Sequence, residues 1–308
     1  MQNLLLLLAG SFLVLCCQGC VGRMFYQPDR TSYGTPSRYG LKYEEVTFRS
    51  KDGTKLTGWF IPAVGAPRGT VIHFHGNAQN MSAHFAFVSW LPAAGFNLFV
   101  FDYRGYGQSE GKPDRRGLFE DSVAAITCVQ ARKDVDRDRL LVLGQSLGGA
   151  NAIAAVGANS FKGIRAVAIE SAFASYRGIV RDKIGGMPLL SLLKWPLSYL
   201  LIGDSYSPDR VVRAIAPVPL LLIYGTADGI VPYHHGQDLF DRAQEPKQFW
   251  TIEHGGHTEA FVEESSGHRQ KLVNFFVTAL DGKSAAATQG VPDAAGDSAK
   301  QAHNKALP

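Results

Sequence analysis

The chain has 308 residues, of which 45% are hydrophobic and 19% are charged, a balance that suits one globular domain with extra segments at its ends. Its 31 basic and 27 acidic residues leave a net charge of only +4, and no basic run is dense enough to follow a nucleic-acid backbone. Three of the four cysteines fall within the first twenty residues, so we expect no internal disulfide, and no cysteine–histidine spacing predicts a metal site.

The N-terminus has the features of an export signal. Leu4 to Cys17 is an apolar run of 14 residues, too short to cross a bilayer comfortably but typical of a signal-peptide core. The segment resembles a bacterial lipoprotein signal, which implies removal of residues 1–19 and lipidation of Cys20. Residues 20–42 would then form a tether. This predicts an exported protein anchored in a membrane and facing the periplasm or cell exterior; secretion and an uncleaved signal anchor are the alternatives.

Strands alternate with helices between residues 43 and 280. The first pair of strands, 43–49 and 56–61, flanks an Asp-Gly turn at 52–53 and predicts a β-hairpin. Further strands are predicted at 70–74, 97–101, 140–143, 164–169, 220–224 and 248–252, and helices at 85–94, 117–132, 150–158 and 263–280. This alternation predicts a mostly parallel sheet covered on both faces, with the hairpin at its edge. Residues 281–308 contain no aromatic residue and are predicted to be disordered.

Residues 173–208 interrupt this alternation and predict an insertion of two short helices. The insertion contains many large apolar residues: Leu189, Leu190, Leu192, Leu193, Trp195, Leu197, Tyr199, Leu200 and Leu201. Packing of a cap onto the core would account for most of them. The alternative is a lid that faces an acyl chain or a membrane, with Arg177, Arg181, Lys183 and Lys194 near lipid headgroups.

Residues 144–149 read Gly-Gln-Ser-Leu-Gly-Gly and lie between an apolar strand and an alanine-rich helix. This is the G-x-S-x-G nucleophile elbow, in which a serine at a sharp strand-to-helix turn is exposed above the sheet. Glycines are needed on either side because the turn leaves almost no room for side chains. The pattern predicts Ser146 as a nucleophile.

A serine nucleophile needs a base and an acid that orients the base, and on such a sheet they follow in the order acid, then histidine. Asp228 stands at the end of the strand at 220–224, where ligand sites of parallel sheets lie, although a helix N-cap is the alternative role. Asp204 and Asp209 are weaker candidates. His257 follows a Gly-Gly pair that lets its loop fold back, and we favour it over His254 as the base.

An oxyanion hole needs two backbone N–H groups aimed at the developing negative charge. Leu147 supplies one because it follows the nucleophile directly. The loop after the strand at 70–74 predicts Asn77 as the second donor, with Gly76 allowing a close approach of the chain. The alternative for this loop is an ordinary strand-to-helix turn.

Other polar residues are expected to have structural roles or to face solvent. In the segment Asp-Tyr-Arg-Gly-Tyr-Gly at 102–107, Asp102 and Arg104 are expected to form an internal ion pair. We expect His84 on a helix surface, and His234 and His235 solvated at a helix start.

Five ordered motifs resemble the α/β-hydrolase superfamily. They are His-Gly-Asn-Ala at 75–78, Asp-Tyr-Arg-Gly-Tyr-Gly at 102–107, Gly-Gln-Ser-Leu-Gly-Gly at 144–149, Gly-Thr-Ala-Asp at 225–228 and Gly-Gly-His at 255–257. The resemblance covers about residues 43–280. It is nearest to the serine-aminopeptidase-like and monoacylglycerol-lipase-like branch, which includes depalmitoylating hydrolases. It implies an α/β-hydrolase fold and acyl transfer by Ser146, Asp228 and His257, with no metal and no organic cofactor. A haloalkane dehalogenase would need aspartate at position 146.

Taken together, these features predict a serine hydrolase that cleaves carboxylic esters or thioesters of small molecules or lipids. A serine peptidase of the aminopeptidase type is the enzymatic alternative. A non-catalytic lipoprotein that uses the same fold for binding is the second alternative. The sequence leaves the oligomeric state and the acyl-chain length open.

Overall fold

The computed structural model describes residues 25–262 and 266–282. The predicted signal segment, Cys20 and the predicted tail from residue 283 lie outside these residues. Within the described part of the chain, none of the helices has the length and apolarity that crossing a bilayer requires.

One large sheet organises the molecule. The strands are β1 (Gln27–Pro28), β2 (Glu44–Arg49), β3 (Lys55–Ile61), β4 (Thr70–Phe74), β5 (Ala78–Gln79), β6 (Asn97–Asp102), β7 (Leu140–Gln145), β8 (Ile164–Glu170), β9 (Leu220–Gly225) and β10 (Lys247–Ile252). Eight of them pair in the order β10-β9-β8-β7-β4-β6-β3-β2. In this sheet only β3 runs opposite to the other strands: it pairs antiparallel with β2 and with β6, and all other pairs are parallel. This confirms the mostly parallel sheet with an antiparallel N-terminal hairpin.

Helices cover both faces of the sheet, as the alternation of elements predicts. They are α1 (Met81–Val88), α2 (Arg115–Gln130), α3 (Leu147–Ala158), α4 (Tyr176–Gly185), α5 (Lys194–Leu201), α6 (His234–Arg242) and α7 (His268–Leu280). Neighbouring residues of β7 point to opposite faces: Val142 packs in the cluster with α2 and α3, and Leu143 in the cluster with α1 and α7. The central strands β4, β6, β7, β8 and β9 are mainly apolar because both of their faces are buried.

The helix expected at residues 85–94 begins and ends earlier. Asn80 caps it, because its side-chain oxygen accepts the N–H of Ser82 at 3.0 Å. The helix ends at Val88, and Pro92 lies in the turns that follow. The capping residue Asn80 therefore determines where α1 starts, whereas the apolar run alone predicts a start at residue 85.

Part of the predicted tether packs against the domain. Phe25 is buried, and its ring lies edge-on to Tyr176 with the centroids 5.0 Å apart. Residues 27–28 form β1, which pairs in parallel with β5. Phe25 and Tyr26 pack against the core of the domain, a feature that their polar neighbours conceal in the sequence.

The insertion between β8 and β9 contains α4 and α5, but it does not bury most of its apolar residues. Leu189 and Leu192 are 95% and 92% exposed, and α5 buries only Ser198. The expectation that core packing accounts for most of these side chains is therefore wrong. The physical reason is that α4 already covers the core with its own apolar side, and α5 packs on α4.

Candidate active site

The nucleophile elbow forms a sharp turn between β7 and α3. Ser146 has φ of 54° and ψ of −122°, a conformation that is rare for a residue with a side chain. A Cβ on Gly148 would collide with the carbonyl oxygen of Phe74, and a Cβ on Gly144 would lie 2.7 Å from the Cα of Gly149. The glycines are therefore required by close approaches of the backbone on both sides of the serine.

Three predicted side chains form a continuous hydrogen-bonded chain. His257 Nε2 lies 2.9 Å from Ser146 Oγ, and His257 Nδ1 lies 2.7 Å from Asp228 Oδ2. These residues come from the loops that follow β7, β9 and β10, because the carboxyl ends of parallel strands meet at one edge of the sheet. His254 is not part of the chain; its backbone N–H donates to Thr226 Oγ1, and the residue is exposed.

Asp228 fills both roles that its sequence position suggested. Its Oδ1 accepts the N–H groups of Ile230 and Val231 at 2.8 and 2.9 Å, while its Oδ2 faces His257. Burial opposes ionisation of this carboxyl, but the hydrogen bond from His257 and the two backbone donors outweigh it and lower the pKa of Asp228. An ionised Asp228 accepts a hydrogen bond from Nδ1–H of His257, so Nε2 of His257 is left to accept the hydroxyl proton of Ser146.

The weaker acid candidates lie elsewhere. Asp204 accepts the backbone N–H of Arg177 and the hydroxyl of Ser207, and so ties the end of the insertion to the start of α4. Asp209 lies in the first turn of a short 3₁₀ helix, Pro208–Arg210. Neither aspartate contacts His257.

The two residues predicted to form an oxyanion hole border the same cavity as Ser146. Asn77 and Leu147 both line it. The carbonyl oxygen of Asn77 accepts the N–H of Gln27 at 3.1 Å and the hydroxyl of Tyr106 at 2.8 Å. These two bonds hold the peptide that follows Asn77. The Asn77 N–H belongs to the preceding peptide, whose Gly76 carbonyl oxygen accepts a hydrogen bond from His75 Nδ1 at 2.8 Å, and a fixed orientation of this peptide is what a preorganised anion site requires.

The cavity beside the nucleophile is mainly apolar. Its other lining residues come from the N-terminal segment, the insertion and the loop after β9: Phe25, Phe173, Ile179, Lys183, Ile230 and Val231. Lys183 contributes the one positive charge among them, and its Nζ lies 3.4 Å from the carbonyl oxygen of Gly229. Such walls suit an apolar group held next to Ser146 Oγ.

A buried polar network beneath the elbow was missed in the sequence. Glu170, at the end of β8, is 1% exposed, and its two oxygens accept Gln145 Nε2 at 2.7 Å and Ala260 N–H at 2.8 Å. Gln145 Oε1 in turn lies 3.0 Å from His73 Nε2. Burial raises the pKa of Glu170 and lowers that of His73 to about 3. Glu170 therefore links the residue before the nucleophile to the loop that carries His257.

A signal for this network is present in the sequence. Glu170 is a charged residue at the end of a strand that is apolar from Ala166 to Ile169, and Asp228 drew attention because it also stands at the end of an apolar strand. A buried carboxylate needs partners, so such a position indicates a hydrogen-bonded site.

The expected ion pair between Asp102 and Arg104 is wrong. Arg104 instead donates to Asp121 at 2.8 Å and to Asp52 at 2.9 Å. Asp102 accepts the backbone N–H of Met81 at 2.7 Å and so holds the start of α1. The chain turns after β6, so Asp102 contacts the start of α1 while Arg104 contacts Asp121 of α2.

Two histidines expected at the surface are buried or partly buried. His235 is 1% exposed; its Nδ1 accepts the backbone N–H of Ala174 at 3.1 Å, and its Nε2 lies 2.9 Å from Asp182. Its expected solvation is wrong because α4 of the insertion covers the start of α6. His84 stacks on His75 with the ring centroids 5.3 Å apart, and burial lowers the pKa of His84 to about 4. It faces the loop of the candidate anion site.

Asp182, His234 and His235 have the composition of a metal site, but the hydrogen bonds assign them otherwise. Because Nδ1 of His235 accepts the Ala174 N–H, its Nε2 carries the proton and has no lone pair to bind a metal. Its Nε2 donates to Asp182, to which His234 also bonds at 3.0 Å. The three residues therefore fasten α4 to α6.

Comparison with known proteins gives three kinds of similarity. The profile of the family described as "Serine aminopeptidase, S33" matches residues 65–215. The protein YfhR of Escherichia coli K12 is 42% identical over 279 residues, which cover 88% of this chain and 93% of YfhR. The alpha/beta hydrolase domain-containing protein WAV2 of Arabidopsis thaliana is 34% identical over 220 residues, 68% of this chain and 69% of WAV2.

A solved structure extends the comparison to the fold. The Pyrococcus furiosus esterase Pf2001 superposes with a TM-score of 0.64 and 24% identity, covering 82% of this chain and 97% of the esterase. At this level of identity, the likeness concerns the arrangement of the strands and helices.

Proposed function

The chain belongs to the α/β-hydrolase superfamily, and on that basis we propose that it is a serine hydrolase that cleaves carboxylic esters or thioesters through a covalent acyl-enzyme. The observation that carries the proposal is the chain of hydrogen bonds from Asp228 through His257 to Ser146. A protein that only binds its ligand has no need of this connected order of acid, base and hydroxyl.

The geometry supports a two-step acyl transfer. Ser146 Oγ attacks the carbonyl carbon while its proton passes to His257 Nε2, and the negative oxygen is stabilised by the N–H groups of Asn77 and Leu147. The protonated His257 then gives its proton to the leaving alcohol or thiol as the bond to the carbonyl carbon breaks. A water molecule, deprotonated by His257, releases the acyl group and restores Ser146. Asp228 stays ionised and stabilises the imidazolium in both steps.

The lining of the cavity favours an ester over a peptide. An aminopeptidase must receive the positive α-amino group of its substrate, which calls for a carboxylate near the nucleophile. Among the described residues, those that line the cavity include no carboxylate, and Lys183 supplies a positive charge instead. An uncharged acyl chain fits these walls better than an ammonium group does.

Labelling with a fluorophosphonate tests the proposal. We expect the wild type to be labelled and Ser146→Ala to be unlabelled. Ser160→Ala is the matched control because Ser160 is exposed beyond the far end of α3, and it should label like the wild type. A folded wild type that is not labelled would favour the binding-protein alternative.

The choice between ester and peptide needs a second measurement. We expect turnover of p-nitrophenyl acyl esters to exceed that of aminoacyl anilides, with Ser146→Ala inactive on both. A series of rising acyl-chain length would then define the depth of the apolar cavity. Faster turnover of the anilides would contradict the esterase proposal.

We also propose the N-terminal organisation that the sequence predicts: a signal at 1–19, lipidation at Cys20, and a hydrolase domain at 43–280. Part of the segment between Cys20 and the domain packs against the domain. Support comes from the apolar run before Cys20. Cys20→Ser should move the protein from the membrane fraction to the soluble fraction. Unchanged membrane association would reject lipidation at this residue.

A further inference from the structure

The insertion presents a concentrated apolar surface to solvent. We call it the cap face, and it consists of eight exposed side chains within 14 consecutive residues: Met187, Leu189, Leu190, Leu192, Leu193, Trp195, Tyr199 and Leu200. Single exposed apolar residues are normal on soluble proteins, but a group of this density marks a surface that binds something. The cap face is not needed to complete the core, which α4 already covers with Ile179, Val180 and Ile184.

Positive charges border the cap face. The guanidinium of Arg181 lies 3.6 Å from the ring centroid of Trp195, and that of Arg177 lies 4.4 Å from the ring centroid of Tyr199. Lys194 begins α5, and no Asp or Glu occurs between Lys183 and Gly203. Aromatic rings beside Lys and Arg, with leucines beyond them, are typical of side chains at the boundary between lipid headgroups and hydrocarbon.

We propose that the cap face docks on a lipid bilayer that carries anionic headgroups. The leucines enter the acyl region, while Trp195 and Tyr199 stay at the headgroup level with the cations that cover them. Lysines and arginines that lie close to a membrane surface are attracted by the negative potential of an anionic leaflet. A second copy of the chain is a poorer occupant because a two-fold interface would bring these same cations against one another.

The position of the cap face relative to the cavity fits this docking. Ile179 and Lys183 belong to α4, and both line the cavity beside Ser146. Phe25, the first described residue, lines the same cavity, and the apolar run predicted as a membrane signal ends eight residues before it. Docking through the cap face would therefore place the cavity and the predicted anchor near the same membrane.

The test must report on the cap face itself, since the apolar N-terminal segment of the full chain can bind vesicles independently. The probe is phosphatidylglycerol vesicles whose acyl chains are brominated near the headgroups, which quench tryptophans at the boundary between headgroups and hydrocarbon. We expect the wild type to lose a fraction of its fluorescence that is absent in Trp195→Phe. The double variant Leu189→Asp/Leu192→Asp should lose at least half of that fraction.

Val64→Asp is the matched control because Val64 is 64% exposed outside the insertion. It should be quenched like the wild type, and phosphatidylcholine vesicles should quench Trp195 less than phosphatidylglycerol vesicles do. The docking also stands apart from the catalytic proposal, because the double variant should still be labelled by a fluorophosphonate in solution.

Three outcomes would overturn the inference. One is equal quenching of the wild type and Trp195→Phe. Another is equal quenching by the two lipids, which would remove the role of the cations. The third is concentration-dependent self-association of the wild type that the double variant abolishes, together with no quenching, which would assign the cap face to a second copy.

Discussion

Two helices of this molecule are rich in apolar residues and have opposite fates. In α3, which follows the nucleophile, every residue from Leu147 to Val156 is buried. In α5 of the insertion, Ser198 is buried while Trp195, Tyr199 and Leu200 are exposed. The difference arises because α3 is fixed between the sheet and its neighbours by the elbow, whereas α5 lies outside a helix that already covers the core. Apolar composition thus predicts burial only where the chain path leaves no other place for a helix.

We expect the largest effect at the strand-end site, by which we mean Ser146, Asp228 and His257 at the ends of β7, β9 and β10. There a change of one atom should lower the activity. Asp228→Asn keeps the shape of the side chain but removes the negative charge that fixes the tautomer of His257. We expect kcat for an ester substrate to fall about 10⁴-fold while the protein remains folded. Steady-state kinetics and circular dichroism measure the two properties.

Asp204→Asn is the matched control for that substitution. Asp204 was the alternative acid, and its Oδ1 accepts bonds within the insertion that an asparagine oxygen also accepts. We expect no comparable loss of kcat. A loss of similar size in this variant, or near-normal activity in Asp228→Asn, would contradict the assigned acid.

Substitution of Glu170 tests whether the stability and the activity of the strand-end site depend on the buried network beneath the elbow. Glu170→Ala leaves Gln145 Nε2 and the Ala260 N–H without their acceptor, so we expect a loss of about 1–3 kcal/mol in the free energy of unfolding. The loop of His257 should also lose its orientation, which lowers kcat more than it raises KM. Urea denaturation and steady-state kinetics measure these effects.

The exchanged pair Glu170→Gln/Gln145→Glu keeps the donors and acceptors in balance. The new amide at 170 can accept the Ala260 N–H and donate to the new carboxylate at 145, which still accepts from His73. We expect this double variant to recover most of the stability and kcat that Glu170→Ala loses. If it behaves like Glu170→Ala, the network does not position His257.

His73 gives the same region a pH dependence. In the unfolded chain its imidazole binds a proton below a pH of about 6.5, whereas in the fold the pKa is lowered to about 3. The unfolded state therefore binds more protons between these values, and stability is lost as the pH falls. We expect a contribution of about 1.4 kcal/mol per pH unit to the slope.

His73→Gln isolates this contribution because glutamine can still donate to Gln145 Oε1 but does not titrate. Urea denaturation at pH 7 and pH 5.5 should show a shallower slope for the variant than for the wild type. Equal slopes would show that His73 is not held neutral by the fold.

The features that the sequence could predict are those determined by local spacing and strand order. Ser146, Asp228 and His257 each follow a strand, and parallel strands bring their ends together whatever the details of packing. The burial of α3 also follows from strand order, because the elbow at the end of β7 places this helix directly against the sheet. The approximate fold therefore needed only the order of the elements, whereas the prediction of the three site residues also used the G-x-S-x-G elbow and the Gly-Gly pair before His257.

The features that escaped prediction depend on contacts between distant parts of the chain. His235 is buried because the insertion lies over the start of α6, and Arg104 pairs with Asp121 because of how α2 crosses the turn after β6. Nothing in the local sequence of Glu170 names Ala260 as its partner, 90 positions away. Such partners are set by three-dimensional packing, which hydrophobic periodicity does not encode.

Two leucines, one in the buried sheet and one in the exposed insertion, give the last contrast between the two regions. Leu143 is fully buried in β7, so Leu143→Ala should lower the free energy of unfolding by about 2–5 kcal/mol through lost packing and a cavity. Leu192 is 92% exposed, so Leu192→Ser should change it by less than about 0.5 kcal/mol in aqueous buffer. Urea denaturation of both variants without lipid measures the contrast. A large loss for Leu192→Ser would mean that this side chain is packed within the protein in solution, and the cap face would then be part of the folded core instead of a surface left for a membrane.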